Sequence, residues 1–375
     1  MRSEHQSQFQ APYHPDVPFE VRHAAIEDLI SAQHTEVRRI GAEATKVQLI
    51  AEQYRNSVKN LFGSAKYKQL RAFVREQKQV QATLLFPPQG PEMSTEELGR
   101  IRQERRVESQ RFLDKLGVDV KQFQNLSQKY AARLQEFGPP RPVRNGRPVM
   151  VVLPSYVPPE ILAYKTNPWT VIGPPFDGWS WWHNGYNAGF SFSPTLHLDA
   201  ATGFVGNRNH IQDTDASDND NGYMNYSTAI SFWYQMPTSG LVEVWIEAQS
   251  NWSHHHVSLW DEFGWSYSAF NQHNYLTLKA SVGESASELQ LAEMSWFQGT
   301  GHTDGYWDNH YLVDGDIYWA NLISDPRIII PAGAWVLVEV GMLNWNTAFS
   351  NDVSVYSTLD FAWTINHVSI HSTGG

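Results

Sequence analysis

Apolar residues recur at helical spacing through the first part of the chain. From Ile26 they follow a 4,3 repeat, the a/d seam of a coiled coil. The seam consists of Ile26, Ile30, Gln33, Val37, Ile40, Ala44, Val47, Ala51, Tyr54, Val58 and Leu61. Gly63 and Ser64 interrupt the repeat, and a second helix is expected to stop before Pro87. The pattern therefore predicts two helices, arranged as a hairpin.

Two further amphipathic helices follow. Ser94 and Glu97 match a capping box at the start of the third helix, and Gly117 closes it. The fourth helix ends at Gly138 and Pro139. After a flexible tail at 1–19, we thus expect a helical bundle or a coiled-coil oligomerisation segment over residues 20–137.

Residues 138–176 form a proline-rich connector, with 10 of the 20 prolines of the chain. Such a segment stays extended, or packs as a strap along the next domain. It marks the expected domain boundary.

Beyond the connector the hydrophobic period changes from 3.6 to two. Gly222 to Tyr234 and Leu241 to Ala248 both alternate apolar and polar side chains. Further strands are expected at 190–198, 255–260, 275–282, 289–296, 311–319, 335–341 and 358–370. The fold class is therefore α+β and multidomain, with an N-terminal α-helical bundle or coiled-coil segment followed by an all-β antiparallel jelly-roll-like sandwich over 177–375.

The end of the chain carries this resemblance. A turn at Pro331 to Gly333 separates two short strands, and a long alternating strand places Leu359, Phe361 and Trp363 on one face. This ending resembles the jelly-roll sandwiches of carbohydrate-binding modules, lectins and virion proteins, at the level of architecture over about 190 residues. It implies a fold class and leaves the function open.

Charge separates the two halves. Residues 1–150 hold 24 Lys and Arg against 17 Asp and Glu, a net charge of +7, and residues 151–375 hold 4 against 22, a net charge of −18. An acidic sandwich repels a phosphate backbone, and the basic residues of the helical part alternate with Glu at helical spacing as on an ordinary solvated face, so we do not expect a nucleic-acid partner. The chain has no cysteine, no apolar run long enough to span a membrane and no signal-peptide core at its start. The compartment stays open.

An acidic loop is the first candidate site. Asp213, Asp215, Asp218 and Asp220 lie close together in sequence and supply the hard oxygen ligands that Ca²⁺ prefers. The glutamate that completes an EF-hand loop is missing. The alternative is a solvated turn without a metal.

A histidine run is the second candidate. His254 and His256 share one face of a strand, where imidazole nitrogens bind Zn²⁺, Fe²⁺ or Mn²⁺. The spacing resembles the His-x-His core of the cupins, which are also jelly rolls. The glycine and glutamate of that pattern are absent here. Surface histidines without a metal are the alternative.

Aromatic clusters are the third candidate, because exposed rings stack on the apolar faces of sugars. The candidate ligand-binding residues are Trp179, Trp181, Trp182, His183, Tyr186, Trp252, Trp260 and Trp265. The alternative is that these side chains fill the core.

These features favour a non-catalytic binding or adhesion protein: a helical segment that forms a homo-oligomer and displays a sandwich that binds a glycan or another polar ligand, with Ca²⁺ as the cofactor the acidic loop would take. A structural assembly subunit of a virion, fibre or toxin particle is the first alternative. A metal-dependent or carboxylate-based enzyme is the second, with Asp304, Asp308, Asp314, Asp316, Glu243, Glu247 and Glu293 as candidate carboxylates.

Overall fold

The computed structural model describes residues 15–85, 94–137, 169–188, 190–213, 220–261, 263, 267–282, 298–301, 305–310, 314–324, 329–351 and 353–374. The helices in these ranges are α1 (Phe19–Leu85), α2 (Thr95–Leu116) and α3 (Val120–Phe137). The strands are β1 (Thr170–Ile172), β2 (Gly178–Ala188), β3 (Phe190–Asp199), β4 (Phe204–Asp213), β5 (Asp220–Gln235), β6 (Gly240–Asp261), β7 (Tyr267–Val282), β8 (Gln298–Gly301), β9 (Gly305–His310), β10 (Ile317–Ile323), β11 (Trp335–Asn351) and β12 (Val353–Gly374). None of the described helices is long and apolar enough to cross a membrane.

The helices pack through aromatic pairs. In α1 the break expected at Gly63 is a kink, where this residue has φ 75° and ψ 155°. The part of α1 before the kink packs on α3, with the rings of Tyr54 and Tyr130 5.3 Å apart, and the part after it packs on α2, where Phe73 and Phe112 stack at 4.1 Å. These contacts hold the helices in one shared core.

The C-terminal part of the predicted coiled-coil seam packs against other helices of the same chain. Ala51, Tyr54 and Val58 are buried in the same helical core as Phe62 and Leu113. The seam side chains from Ile26 to Val47 lie outside the described residues, so self-association through that part stays a prediction.

Two antiparallel sheets follow the helices. The front sheet has the strand order β10-β6-β12-β4-β3, with β1 also paired to β12 and β9 to β6, and the back sheet has the order β2-β5-β11-β7-β8. Inward-facing apolar side chains of both sheets form one core, which contains Trp363, Phe361, Phe232, Val338 and Ile246. The protein is therefore an α+β protein with a β-sandwich.

The start of the helical part lies against the outer face of the back sheet. Val17, just before α1, is buried together with Trp233 and Leu337, and Val21 and Trp335 pack against them. Trp233 is outward-facing on β5, and this cover explains why it is buried. The polar and aromatic groups described below lie on the outer face of the other sheet, the front sheet.

Some strands differ from the sequence prediction. The strands expected at 241–248 and 255–260 are one continuous strand, β6, paired with β12 across a register shift between Ala362 and Trp363. The last part of the predicted connector belongs to the sandwich, because Thr170–Ile172 pairs with β12 as β1. The strand expected at 289–296 lies outside the described residues.

One layer of the sandwich interior is polar. Asn207 and Asn209 on β4, Tyr226 on β5, and Asn344 and Asn346 on β11 are fully buried. The Tyr226 hydroxyl donates to Asn209 Oδ1. Burial raises the pKa of Tyr226 well above its ordinary value of 10.0, so the hydroxyl keeps the proton that it donates. Among the described residues, neither side-chain atom of Asn207 has a hydrogen-bond partner.

Gly203 is required by the close approach of two segments of the chain. It has φ 74°, and a Cβ at this position would lie 2.4 Å from the carbonyl oxygen of Ile365.

We expect Gly203→Ala to lower the free energy of unfolding by roughly 2–4 kcal/mol, because it adds a clash to an unfavourable φ. Urea titration measures this. Gly333→Ala is the matched control, since Gly333 has φ 80° and nothing within 4 Å of a Cβ. Equal losses in the two variants would contradict the assigned clash.

Candidate functional site

The outer face of the front sheet carries two glutamate–histidine pairs across β6 and β12. Glu243 lies opposite His371, and Glu247 opposite His367. In both pairs Oε2 of the glutamate lies 3.8 Å from Nδ1 of the histidine. We call these two pairs, together with Trp169, Trp245, Trp319 and Asn366, the Glu–His strip.

Each carboxylate of the strip is held on its other oxygen. Trp245 Nε1 donates to Glu243 Oε1 at 2.9 Å, and Asn366 Nδ2 donates to Glu247 Oε1 at 2.9 Å. A hydrogen bond to a carboxylate fixes its rotation. Both glutamates therefore present Oε2 towards the neighbouring histidine.

Each histidine of the strip also contacts a tryptophan. Trp169 stacks on His371 with ring centroids 4.6 Å apart and an interplanar angle of 21°. Trp319 meets His367 edge-on at 5.4 Å. His371 and Trp319 are buried, and the other members are half-buried.

Strand alternation and one bulge build the strip. Successive side chains of a strand point to opposite faces, so Glu243, Trp245 and Glu247 lie outward while their neighbours enter the core. On β12 the register shifts between Ile365 and His367. The extra residue is Asn366, and the shift places both Asn366 and His367 beside Glu247.

A second group lies at the other end of the same face. Trp252 Nε1 donates to Asp360 Oδ1 at 2.7 Å, and Arg208 Nε lies 3.9 Å from Asp360 Oδ2. The Trp252 ring packs against His197 and Phe204, with centroids 5.9 Å and 5.6 Å apart. Trp252 is one of the predicted ligand-binding residues, and in this group its indole N–H is already bonded to Asp360.

His210 lies beside this group. Its Nδ1 is 3.1 Å from Thr358 Oγ1, and its ring meets Tyr356 edge-on at 4.4 Å. Burial lowers the pKa of His210 below its ordinary value of 6.5, and the charges of Arg208 and His256 lower it further, against a side-chain hydrogen bond with Gln212 that raises it. The imidazole is therefore neutral at neutral pH.

The histidine run lies on this face as well. His254 is opposite Asp360 and His310, and His256 is opposite Thr358 and Asp308. Within the described part of the chain, no three His, Asp or Glu side chains are grouped so that they could hold a metal ion. A transition-metal site at His254 and His256 stays a prediction.

Most other predicted site residues have side chains outside the described set. These are Trp179, Trp181, Trp182, His183, Tyr186, Trp260, Trp265, Asp213, Asp215, Asp218 and Asp220. The backbone of the first five belongs to β2 and pairs with β5. Asp213 ends β4 and Asp220 begins β5, so the acidic loop connects the front sheet to the back sheet.

Sequence reasoning missed the Glu–His strip as a unit. Of its members, only Glu243 and Glu247 are predicted from the sequence, as candidate catalytic carboxylates. Trp169, Asn366 and His371 were not singled out. The available signal was the matching i, i+4 spacing of Glu243 with Glu247 and of His367 with His371, which places each pair of like residues on one face of its strand.

No family model matches the chain, and no curated protein matches it. Among solved structures, 49% of the chain aligns with a chain described as the crystal structure of the enzymatically active domain of bacteriophage CBA120 tailspike protein 4. The sequence identity is 8%, the alignment covers 18% of that chain, and the TM-score is 0.11. We draw no inference about fold or function from a likeness at this level.

The lowered pKa of His210 predicts a pH dependence of stability. The unfolded chain binds a proton at His210 near pH 6.5, whereas the folded protein binds it only at lower pH. The free energy of unfolding should therefore fall as the pH drops from about 6.5 through the folded-state pKa. His210→Gln should flatten this slope in urea titrations. The exposed His23 provides the control His23→Gln, which should keep the slope; a slope equal in all three proteins would contradict the assignment.

Proposed function

We propose that the front sheet binds a hydroxyl-rich ligand of the glycan type on its outer face, without catalysis. The observation that carries this proposal is the Glu–His strip. Its carboxylate oxygens accept hydrogen bonds from hydroxyls, its imidazoles donate or accept them, and its half-buried Trp169 and Trp245 offer apolar surface to the faces of sugar rings. Few precisely held polar groups among aromatic rings are typical of small-ligand sites.

The strand order supports a jelly-roll sandwich as the scaffold of this site. The strands β4, β12, β6 and β10 of the front sheet face β5, β11, β7 and β8 of the back sheet. Along the chain the path alternates between the sheets, from β4 to β5, from β6 to β7 and from β11 to β12. Jelly rolls of this kind serve as lectin domains and as capsid domains.

The spacing of the carboxylates favours binding over glycoside hydrolysis. Glu243 and Glu247 stand four residues apart on one strand, which separates their Cα atoms by about 13 Å. Paired glycosidase carboxylates lie roughly 5 to 9.5 Å apart. Trp245 also stands between the two glutamates and takes a carboxylate oxygen of Glu243 as its acceptor.

The helical segment is proposed to hold several copies of the chain together, so that one oligomer displays more than one sandwich. Weak sites on several copies bind a repetitive surface much more strongly than one site alone. Ca²⁺ remains the proposed ligand of the loop from Asp213 to Asp220.

A second candidate is a structural assembly subunit. The opposite net charges of residues 1–150 and 151–375, +7 and −18, favour contacts between the helices of one copy and the sandwich of another. Particles that dissociate at high salt and bind no glycan would identify this function instead.

The test is a glycan array probed with the full chain, once with Ca²⁺ and once with EDTA. We expect binding that Trp245→Ala weakens by about tenfold or more, because the ring supplies both the stacking surface and the hydrogen bond that orients Glu243. Loss of binding in EDTA would assign a role to the acidic loop.

Trp335→Ala is the matched control for that experiment. It removes a half-buried tryptophan from the outer face of the back sheet, next to Val17. Binding should survive in this variant. Absence of binding on the whole array, or equal losses in both variants, would contradict the proposal.

A further inference from the structure

The Glu–His strip contains the same arrangement twice. In each unit a glutamate receives an N–H on Oε1, turns Oε2 towards a histidine Nδ1 at 3.8 Å, and has a tryptophan in contact with that histidine. The first unit is Glu243, His371 and Trp169, and the second is Glu247, His367 and Trp319. A repeated set of chemical groups suits a ligand with a repeated structure.

The gap within each unit suits one hydroxyl group. A distance of 3.8 Å is too long for a direct hydrogen bond between the carboxylate and the imidazole. In the more exposed unit, Glu247 and His367 can nevertheless both reach one oxygen placed beside them, at about 2.8 Å from each. In the other unit His371 Nδ1 is buried and has no hydrogen-bond partner among the described residues, so a hydroxyl reaches it when the stacked Trp169 ring moves aside. A ligand hydroxyl at that position donates a hydrogen bond to the carboxylate and accepts one from the imidazole N–H. The hydroxyl then uses both its donor and its acceptor function.

The distance between the units sets the size of the ligand. The glutamates are four residues apart on β6, and the histidines are four residues apart on β12. This corresponds to about 13 Å along the strands. A monosaccharide is shorter than this spacing, so it can occupy only one unit at a time. A linear oligosaccharide lying along the strands passes over Trp245 and reaches both.

We infer that the Glu–His strip consists of two subsites of the same composition that together recognise a linear, uncharged oligosaccharide aligned with β6 and β12. The inference rests on the proposed function and specifies its ligand class. The ligand is uncharged because the strip already holds two carboxylates within a domain of net charge −18, which disfavours anionic sugars. Linking two sites through one ligand raises the affinity without any new contact.

The two subsites differ in access. The side chain of His371 is 7% exposed, and Trp169 stacks on it, whereas the side chain of His367 is 29% exposed. Short sugars should therefore occupy the Glu247 subsite first. Longer sugars then add the contacts of the Glu243 subsite.

The experiment measures affinity against chain length by isothermal titration calorimetry of the full chain. The probes are the cello-, xylo- and manno-oligosaccharides from one to six residues. We expect one series to show a steep rise, of tenfold or more, at the length that first spans both subsites. Below that length the affinity should stay low.

Matched carboxamide variants test the two subsites separately. Glu243→Gln should abolish the steep rise and leave the weak binding of the short sugars, while Glu247→Gln should weaken short and long sugars together. Glu104→Gln, an exposed change on α2, should leave both unchanged. His367→Gln provides a second variant of the more exposed subsite, and thermal melting of each protein verifies that it is folded.

Two results would overturn the inference while leaving the proposed function intact. One is binding that Trp245→Ala weakens but that shows no step with chain length. The other is a step that survives Glu243→Gln in a folded protein. Failure of all three oligosaccharide series to bind the folded protein would overturn the inference, whereas absence of binding on the whole glycan array is what would overturn the proposed function.

Discussion

The antiparallel pairing of β6 with β12 is the interaction on which the rest of the structure depends. Both strands have 22 residues, and their register runs from Gly240 opposite Gly374 to Asp261 opposite Val353. Every other strand of the front sheet joins this pair directly or through β4. Because the partners are about a hundred residues apart in sequence, the pairing has a high loop-closure cost that many later contacts must offset.

The two faces of this pair of strands lie in different environments, one in the core and one on the outer surface. Val242, Val244 and Ile246 enter the core, and the residues between them carry the carboxylates and the indole of the Glu–His strip. A shift of one residue would exchange the two sets and bury the carboxylates. The need to keep charges out of the core therefore specifies the register that also aligns each glutamate with its histidine. The start of α1 covers part of the back sheet, and this difference between the outer faces makes the front sheet the candidate for ligand binding.

The hydrophobic pattern alone was sufficient to predict the helical part, the change to strands and the sandwich class. Strands with strict alternation, such as the one around Phe232, were recognised close to their observed bounds. By contrast, β4 was missed because Asn207 and Asn209 face the interior and remove the apolar signal. The Glu–His strip could not be predicted, because the sequence does not show which distant residues the β6–β12 register brings together. The bulge at Asn366 adds a further shift that no periodicity reveals.

The buried amide layer of Asn207, Asn209, Asn344 and Asn346 also affects how stability varies with temperature. Exposure of apolar surface raises the heat capacity of unfolding, and exposure of polar surface lowers it. A sandwich that fills one layer with amides and a tyrosine hydroxyl should therefore have a smaller heat-capacity change than one of the same size with an apolar layer. Its curve of stability against temperature is correspondingly flatter, so the fold tolerates a wider range of temperatures for the same maximum stability.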